Sequence, residues 1–198
     1  VQRNPANTGS FAISGVVSAV TNLNRIEARL VVMPGATNNG VSTDWVVLVS
    51  TTTNGAFGGT MTNIAAGGWY RLEVRAVDAD GNELASISVL RLGVGDIIVT
   101  TGQSNAGCFG SPQQVPKDDR VSSYLLGPKS WKFANDPQPD NSGGMGGGGS
   151  PWPILGSLLI ASNHVPVGFV CLAYGGTALS QWVPGDRKST RLNSSHRT

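Results

Sequence analysis

The chain has 198 residues, with 14 Lys and Arg against 12 Asp and Glu and a formal net charge of +2 at pH 7. Charged residues make up 13% of the sequence and hydrophobic residues 39%, which argues against charge-driven disorder and allows a packed core. The 27 glycines follow no three-residue period, which excludes collagen. No apolar run reaches the roughly 20 residues that a membrane-spanning helix needs.

Residues 1–93 predict a β domain. Six segments rich in β-branched and aromatic residues are separated by short turn clusters: FAISGVVSAV, RIEARLVVM, DWVVLVS, AFGGTMTNI, WYRLEVRAVDA and LASISVLRLG. The fifth segment alternates apolar with charged residues, as a half-buried strand does. Asp80-Gly81 then predicts a hairpin turn. The pattern favours an immunoglobulin-like β-sandwich, with Trp45 and Trp69 in its core.

The pattern changes after Gly93. GVGDIIVTTGQSN predicts a strand that ends in a turn, and residues 108–151, rich in Gly, Pro and Asp, predict a long loop region. SPWPILGSLLIASNH predicts a helix capped by Ser150, and VPVGFVCLAY predicts a strand buried on both faces. The apolar stripe expected to face the core consists of Ile154, Leu155, Leu158 and Leu159. Strand, helix and strand together predict the first part of an α/β domain over 94–185.

Residues 186–198 differ in composition from everything before them. The string from Asp186 to His196, DRKSTRLNSSH, resembles a sequencing-adapter read translated in frame, which favours a non-native tail over a natural disordered one. This tail holds four basic residues and one acidic residue, so the rest of the chain is slightly acidic. The net charge therefore gives no support for nucleic-acid binding, and we expect the natural sequence to continue beyond Gly185.

The two cysteines, Cys108 and Cys171, are too few for a disulfide framework. Buried unpaired thiols are favoured over a pair. The turn from Asp78 to Asn82 has the composition of a calcium loop, but the positions of its glycine and acidic residues do not fit one. We therefore predict a structural hairpin there, and neither a metal nor a cofactor for the chain.

Two glycine-containing blocks carry the chemistry. In Gly102-Gln103-Ser104-Asn105 the serine follows a predicted strand, at the edge of the sheet where open α/β folds build their sites. A tight turn there exposes the serine hydroxyl and leaves its N–H available to an oxyanion. Gly175-Gly176 follows the next predicted strand and could bring a second N–H to the same edge. On its own, each block is more often an ordinary turn.

Together, VGDIIVTTGQSNA and PVGFVCLAYGGTALSQW resemble the SGNH (GDSL-like) hydrolases, and specifically their sialate O-acetylesterase-like, carbohydrate-esterase branch. The resemblance covers residues 95–185 and implies the N-terminal part of a three-layer α/β hydrolase domain. It implies that Ser104 is the nucleophile, and that N–H groups of Ser104 and of Gly175 or Gly176 form the oxyanion hole.

The same resemblance implies lesser roles for the neighbouring residues. Gly102, Gln103 and Asn105 would shape the turn, whereas Thr177 and Trp182 are candidate substrate contacts. Trp131, Trp152 and Trp182 lie in or near predicted loops, where they could stack on sugar rings or pack against the protein.

The sequence also departs from the family. The Asp-x-x-His pair that activates the serine, and the oxyanion Asn, come later in the family than the GGT segment and are not found here. His196 lies in the tail, His164 is expected at the end of the helix, and Asp96 is expected to be structural. A serine needs an adjacent base to be a strong nucleophile, so we expect this chain to be inactive although its parent is an enzyme.

The implied substrate is an acetylated carbohydrate, with no nucleic-acid, membrane or obligate protein partner. A composition rich in Ser, Thr, Asn and Gly but poor in Lys favours a secreted or periplasmic location in a bacterium. The alternative hypothesis is a glycan-binding or adhesive β-sandwich followed by a degenerate hydrolase segment.

Overall fold

The computed structural model describes residues 1–34, 40–50, 52, 54–139 and 146–183. The described residues are mostly β-sheet, with one α-helix and a short 3-10 helix. The chain divides into two compact units, the first made of Val1–Ile97 with Ile160–Val167 and the second of Ile98–Leu159 with the residues from Gly168 onward. No helix within the described residues is long and apolar enough to cross a membrane. The adapter-like segment 186–198 lies outside them.

All six strands predicted for the first unit are present. They are β1 (Thr8–Val16), β2 (Arg25–Val32), β3 (Val46–Val49), β4 (Ala56–Ala65), β5 (Gly67–Val77) and β6 (Glu83–Val94). Strand β1 pairs antiparallel with β4, and the other four form an antiparallel sheet in the order β3-β2-β5-β6. The hairpin predicted at Asp80-Gly81 joins β5 to β6, and Gly81 adopts the positive φ of +87° that such a turn requires.

The two sheets of the first unit share one hydrophobic core. The apolar residues of β5 are buried as their alternation predicts, and they pack with Phe11 and Ile13 of β1 and with Met61 and Ile64 of β4. Ile26 and Leu30 of β2 complete the centre of the core and are at most 1% exposed. The immunoglobulin-like topology of this pair of sheets stays a prediction.

One tryptophan of the first unit lies on the opposite side of the sheet from the core. Trp69 is buried but does not belong to the cluster of residues that forms the core, and the prediction of a core position for Trp45 is wrong. The guanidinium carbons of Arg29 and Arg75 lie 4.5 and 4.0 Å from the centroid of the Trp45 ring, on the charged face of the sheet. The cations attract the electron-rich face of the indole, so the ring covers the charged row instead of entering the core.

A third sheet, after the two of the first unit, has the order β7-β10-β8-β9. Its strands are β7 (Asp96–Gly102), β8 (Val121–Leu125), β9 (Ser130–Phe133) and β10 (Val167–Ala173), and the helix α1 spans Trp152–Asn163. Strands β7 and β10 and helix α1 were predicted. The prediction of loop throughout 108–151 is wrong for the hairpin of β8 and β9. The two strands of that hairpin pair over four residues each, and the tilted rings of Tyr124 and Trp131 are in contact, with centroids 5.0 Å apart.

The face that helix α1 buries agrees only in part with the one expected. Of the predicted stripe, Ile154 and Leu159 are half-buried, whereas Leu155 and Leu158 are 37% and 63% exposed. The fully buried residues of the helix are Pro153, Gly156 and Ile160. The reason is the close approach at Gly156, where a Cβ would lie 2.4 Å from Cγ1 of Val121. The glycine lets the helix backbone pack directly against the side chains of the sheet, and this sets which face is covered. The three-layer arrangement of a complete hydrolase domain stays a prediction.

Candidate active site

Ser104 lies in a tight turn directly after β7. Gly102 ends the strand with φ +143°, and the N–H groups of Ala106 and Gly107 then donate to the carbonyl oxygens of Gln103 and Ser104 at 2.9 and 3.1 Å. The turn is followed by loop. The half-buried Ser104 hydroxyl donates weakly to Oε1 of Gln103 at 3.4 Å. Within the described residues, the backbone N–H of Ser104 donates to no protein acceptor.

A cavity of about 430 Å³ opens beside this turn. Ser104 and Asn105 line it, together with Phe109, Gly110, Ser111, Pro112, Gln114, Gly149, Ser150 and Pro151. These lining residues carry no formal charge, and they combine hydroxyl and amide groups with the apolar surfaces of one phenylalanine and two prolines. A cavity of this kind suits a small uncharged group with a few hydrogen-bonding atoms.

Asp136 holds two walls of the cavity in place. Its side chain is buried, and one carboxylate oxygen accepts hydrogen bonds from the backbone N–H groups of Gln114 at 2.9 Å and Ser150 at 2.7 Å. The other oxygen accepts from the Ser150 hydroxyl at 2.7 Å and from Nε2 of Gln138 at 3.0 Å. The Ser150 hydroxyl, expected to cap α1, therefore binds Asp136. Sequence reasoning missed this residue, because its donors are 14 and 22 positions away along the chain.

The two cysteines are buried and unpaired, as predicted. Sγ of Cys108 lies behind the cavity wall, 3.8 Å from the Asp136 carboxylate, and accepts a hydrogen bond from the N–H of Gln138 at 3.0 Å. Burial raises the pKa of Cys108 and of Cys171 above the usual thiol value, so both stay protonated and unreactive near neutral pH.

The second glycine block comes to the same edge of the sheet. The N–H of Asp96 donates to Pro166 O at 2.9 Å, and the N–H of Tyr174 donates to Gly102 O at 2.8 Å. Because these bonds join the starts and the ends of β7 and β10 in the same order, the two strands are parallel. Gly175 and Gly176 thus follow directly after the residue that is bonded to the end of β7. Neither glycine is among the residues that line the cavity.

Thr177 and Trp182 bind each other in the structure. The Thr177 hydroxyl donates to the carbonyl of Tyr174 at 2.8 Å and accepts from Nε1 of Trp182 at 3.0 Å. This closes the segment around the 3-10 helix Leu179–Trp182, where the N–H of Ala178 also donates to Oε1 of Gln181 at 2.6 Å. Both polar groups have a structural partner, and neither side chain lines the cavity. Their role as substrate contacts stays a prediction.

Trp152 supports the turn that carries Ser104. Its Nε1 donates to the carbonyl of Ala106 at 3.0 Å, and its ring packs on Phe169 of β10 with centroids 5.9 Å apart. The side chain therefore ties the start of α1 to the residues just after the serine. Trp131 lies in β9, where its ring covers the backbone of Gly168. Neither ring is part of the cavity lining.

The described residues contain no base in contact with the Ser104 hydroxyl. His164 is exposed, directly follows α1 and belongs to the first unit, whereas His196 lies outside the described residues. Asp96, expected to be structural, forms an ion pair with Arg3 with 2.7 Å between Nε and Oδ1. The sequence-based view of His164 and Asp96 as structural residues agrees with these positions.

No protein-family model matches the chain, and no curated protein matches it. Among solved structures, the chain is similar to a carbohydrate acetylesterase from Xanthomonas citri, with 20% sequence identity and a TM-score of 0.45. The similarity covers 92% of this chain and 39% of that one, so the chain spans about two fifths of the length of the structure it matches. At this level of likeness the activity has to be argued from the site itself.

Proposed function

We propose that the chain carries the nucleophile of a serine esterase that removes acetyl groups from a carbohydrate. The observation that supports this proposal is the position of Ser104. Its half-buried side chain lines a cavity of about 430 Å³ from a tight turn at the carboxyl end of a parallel strand. The carboxyl end of a parallel strand is where open α/β folds build their sites.

In the proposed reaction, Oγ of Ser104 attacks the carbonyl carbon of the acetyl ester and forms a tetrahedral intermediate. The bond between that carbon and the sugar oxygen then breaks, and the sugar oxygen takes up the proton that the serine loses. The acetyl group stays on Ser104 until a water molecule attacks it, which releases acetate and restores the hydroxyl.

The turn supplies what the negatively charged intermediate needs. The N–H of Ser104 has no acceptor among the described residues, so it is available to the oxyanion. Gly175 or Gly176 is the proposed source of a second N–H, because both follow β10, whose end is bonded to the end of β7. Gly102, Gln103 and Asn105 keep the serine in this position, and Asn105 also faces the cavity.

The lining of the cavity supports the proposed substrate class. An acetyl ester on a sugar is uncharged and carries hydroxyl groups, which suits walls made of Ser111, Gln114 and backbone amides beside Phe109. The SGNH family and its sialate O-acetylesterase-like branch remain our interpretation of the two sequence blocks. A secreted or periplasmic location stays a prediction from composition.

The proposal can be tested on the 198-residue chain without requiring turnover. An N–H group that is available to the oxyanion stabilises the transition state of acyl transfer, so Ser104 should react faster than a serine without such a group even though no base contacts it. Treatment with p-nitrophenyl acetate should therefore acetylate Ser104 in preference to the other serines, which peptide mass spectrometry would detect as an acetyl group on that residue. Competition by an acetylated xylo-oligosaccharide should slow the reaction if the cavity accepts a sugar ester.

Two variants make this experiment decisive. Ser104→Ala should abolish the selective acetylation, whereas Ser130→Ala removes an exposed serine at the start of β9 and should leave it unchanged. The nucleophile assignment is wrong if Ser104 and Ser130 are acetylated at equal rates in the parent chain. If Ser104 reacts but the acetylated sugar does not slow the reaction, the assignment of Ser104 as an esterase nucleophile is supported and the proposal of a carbohydrate substrate is wrong.

The glycan-binding alternative has less support from the first unit. Sugar-binding surfaces commonly offer an open aromatic ring, but the half-buried Trp45 has the guanidinium groups of Arg29 and Arg75 within 4.5 Å of its ring centroid. Trp69 is buried. The alternative stays a hypothesis, and it predicts glycan affinity that the Ser104→Ala change does not alter.

A further inference from the structure

Strand β6 forms an unusually long and apolar edge. It spans Glu83–Val94 and pairs only with β5 in the sheet that the described residues form. Its exposed apolar side chains are Leu84 at 36%, Ile87 at 68%, Val89 at 47% and Leu90 at 57%. Sheet edges are usually protected by charges, prolines or short length, because their open backbone groups pair readily with another strand. Residues 84–90 contain neither a charged residue nor a proline.

The exposure has a clear structural cause. Residues directly opposite in an antiparallel pair lie on the same face, so Ile87 shares the inner face with Val74, its partner on β5. Val74 is only 7% exposed because the opposite sheet covers it. Within the described residues that sheet has two strands, β1 and β4, and Ile87 is 68% exposed although it lies opposite the buried Val74. The side chains of Ala85, Ile87 and Val89 on the inner face therefore extend the apolar surface of the core to the edge of the sheet, where they are exposed.

The sequence of this edge is complementary to itself. In the segment ELASISVLR, residues at equal distances from Ile87 match in kind: Ser86 with Ser88, Ala85 with Val89, Leu84 with Leu90, and Glu83 with Arg91 as opposite charges. Moreover, the ladder with β5 is regular from Ala85 to Val89 and shifts register on either side. The regular part of the strand is thus centred on the same residue as the sequence symmetry.

We propose that β6 is the contact through which two copies of this chain associate, by antiparallel pairing about a two-fold axis at Ile87. Such pairing gives each apolar residue an apolar partner, joins the two four-stranded sheets into one and covers the open β6 edge of each copy. One strand pair buries less surface than a permanent dimer needs, so the dimer is weak and depends on concentration. This inference is independent of the chemistry proposed for Ser104.

Sedimentation velocity over a series of concentrations tests the association on the full 198-residue chain. The parent chain should shift from monomer to dimer as its concentration rises. Ile87→Lys places two ammonium groups face to face and should abolish the dimer, and its high exposure should leave the fold intact by circular dichroism. The matched change Val47→Lys, at the 48% exposed position of the opposite edge strand β3, should leave the dimer unchanged.

Disulfide formation tests the register separately. Only the residue on the axis meets its own counterpart, so Ile87→Cys should give a covalent dimer under mild oxidation, whereas Leu84→Cys, which faces Leu90 of the second copy, should give far less. A parent chain that stays monomeric at the highest attainable concentration overturns the proposal. Equal loss of dimer in both lysine variants, equal disulfide yield in both cysteine variants, or growth into open-ended aggregates overturns it as well.

Discussion

In the first unit the buried side chains are almost all apolar and come from two facing sheets, whereas in the second a buried carboxylate, Asp136, organises the loops around the cavity. The charged side chains of β2 and β5 in the first unit lie on the outer face of their sheet. There Glu27 accepts from Arg25 and Arg75, and Glu73 accepts from Arg29 and Arg71. In the second unit Asp136 receives two backbone N–H groups, one hydroxyl and one amide.

The difference shows two ways of holding a structure in shape. An apolar core is non-directional, so it stabilises the packing of sheets but fixes few individual backbone atoms. A buried carboxylate is stable only if its hydrogen bonds are made, and so it fixes each donor that it binds. The loops that form the cavity contain few apolar residues that could pack together. A buried carboxylate with all its hydrogen bonds made is therefore what orders them.

The largest effect is expected from a cavity in the apolar core. Leu30 is fully buried between the two sheets, and Leu30→Ala should lower the free energy of unfolding of the first unit by about 2–5 kcal/mol. Urea unfolding followed by hydrogen exchange would assign the loss to that unit. Val47→Ala, at a 48% exposed position of the same sheet, is the control and should change stability little. Equal losses would mean that the first unit does not depend on its core as described.

Removing the hydrogen bonds that Asp136 accepts should have a somewhat smaller effect, confined to the second unit. Asp136→Asn replaces an acceptor with a donor that faces the N–H of Ser150 or Gln114, and hydrogen bonds to a charged group contribute about 1.5–3 kcal/mol each. Amide protection near Gln114 and Ser150 should fall, and selective acetylation of Ser104 should slow. Asp44→Asn makes the same change at an exposed position of the first unit and should do neither. Unchanged protection in the Asp136 variant would contradict the role given to its carboxylate.

The smallest effect concerns pH and the outer charges of the first unit. Burial opposes ionisation of Glu27, but the hydrogen bonds from Arg25 and Arg75 outweigh it and hold the pKa of this carboxyl below its usual value. A lowered pKa in the folded state stabilises the fold at neutral pH, and this stabilisation disappears as the pH falls below about 4. Unfolding measured from pH 7 to 3 should show a drop that is shallower in Glu27→Gln. An identical pH profile in that variant would exclude the contribution.

The sequence predicts strands better than it predicts the groups that surround the cavity. The alternation around Leu72 and the turn at Asp80-Gly81 depend on near neighbours in the chain, and the structure has the strands and hairpin expected from them. Strand β8 was missed because its sequence VSSYL contains two serines and lies among loop-forming residues. The roles of Asp136 and Trp45 depend on partners distant in sequence, which no local pattern reveals.

The hydrogen bond from Trp152 to Ala106 has a spectroscopic consequence. Indole emission depends on the polarity and motion of its surroundings, and this indole is bonded two residues after Ser104. The ring also packs on Phe169, which belongs to the same unit. An event that shifts the serine turn, such as acylation or entry of a ligand into the cavity, therefore changes the fluorescence of a native residue. The protein carries its own optical reporter of that turn, without an added label.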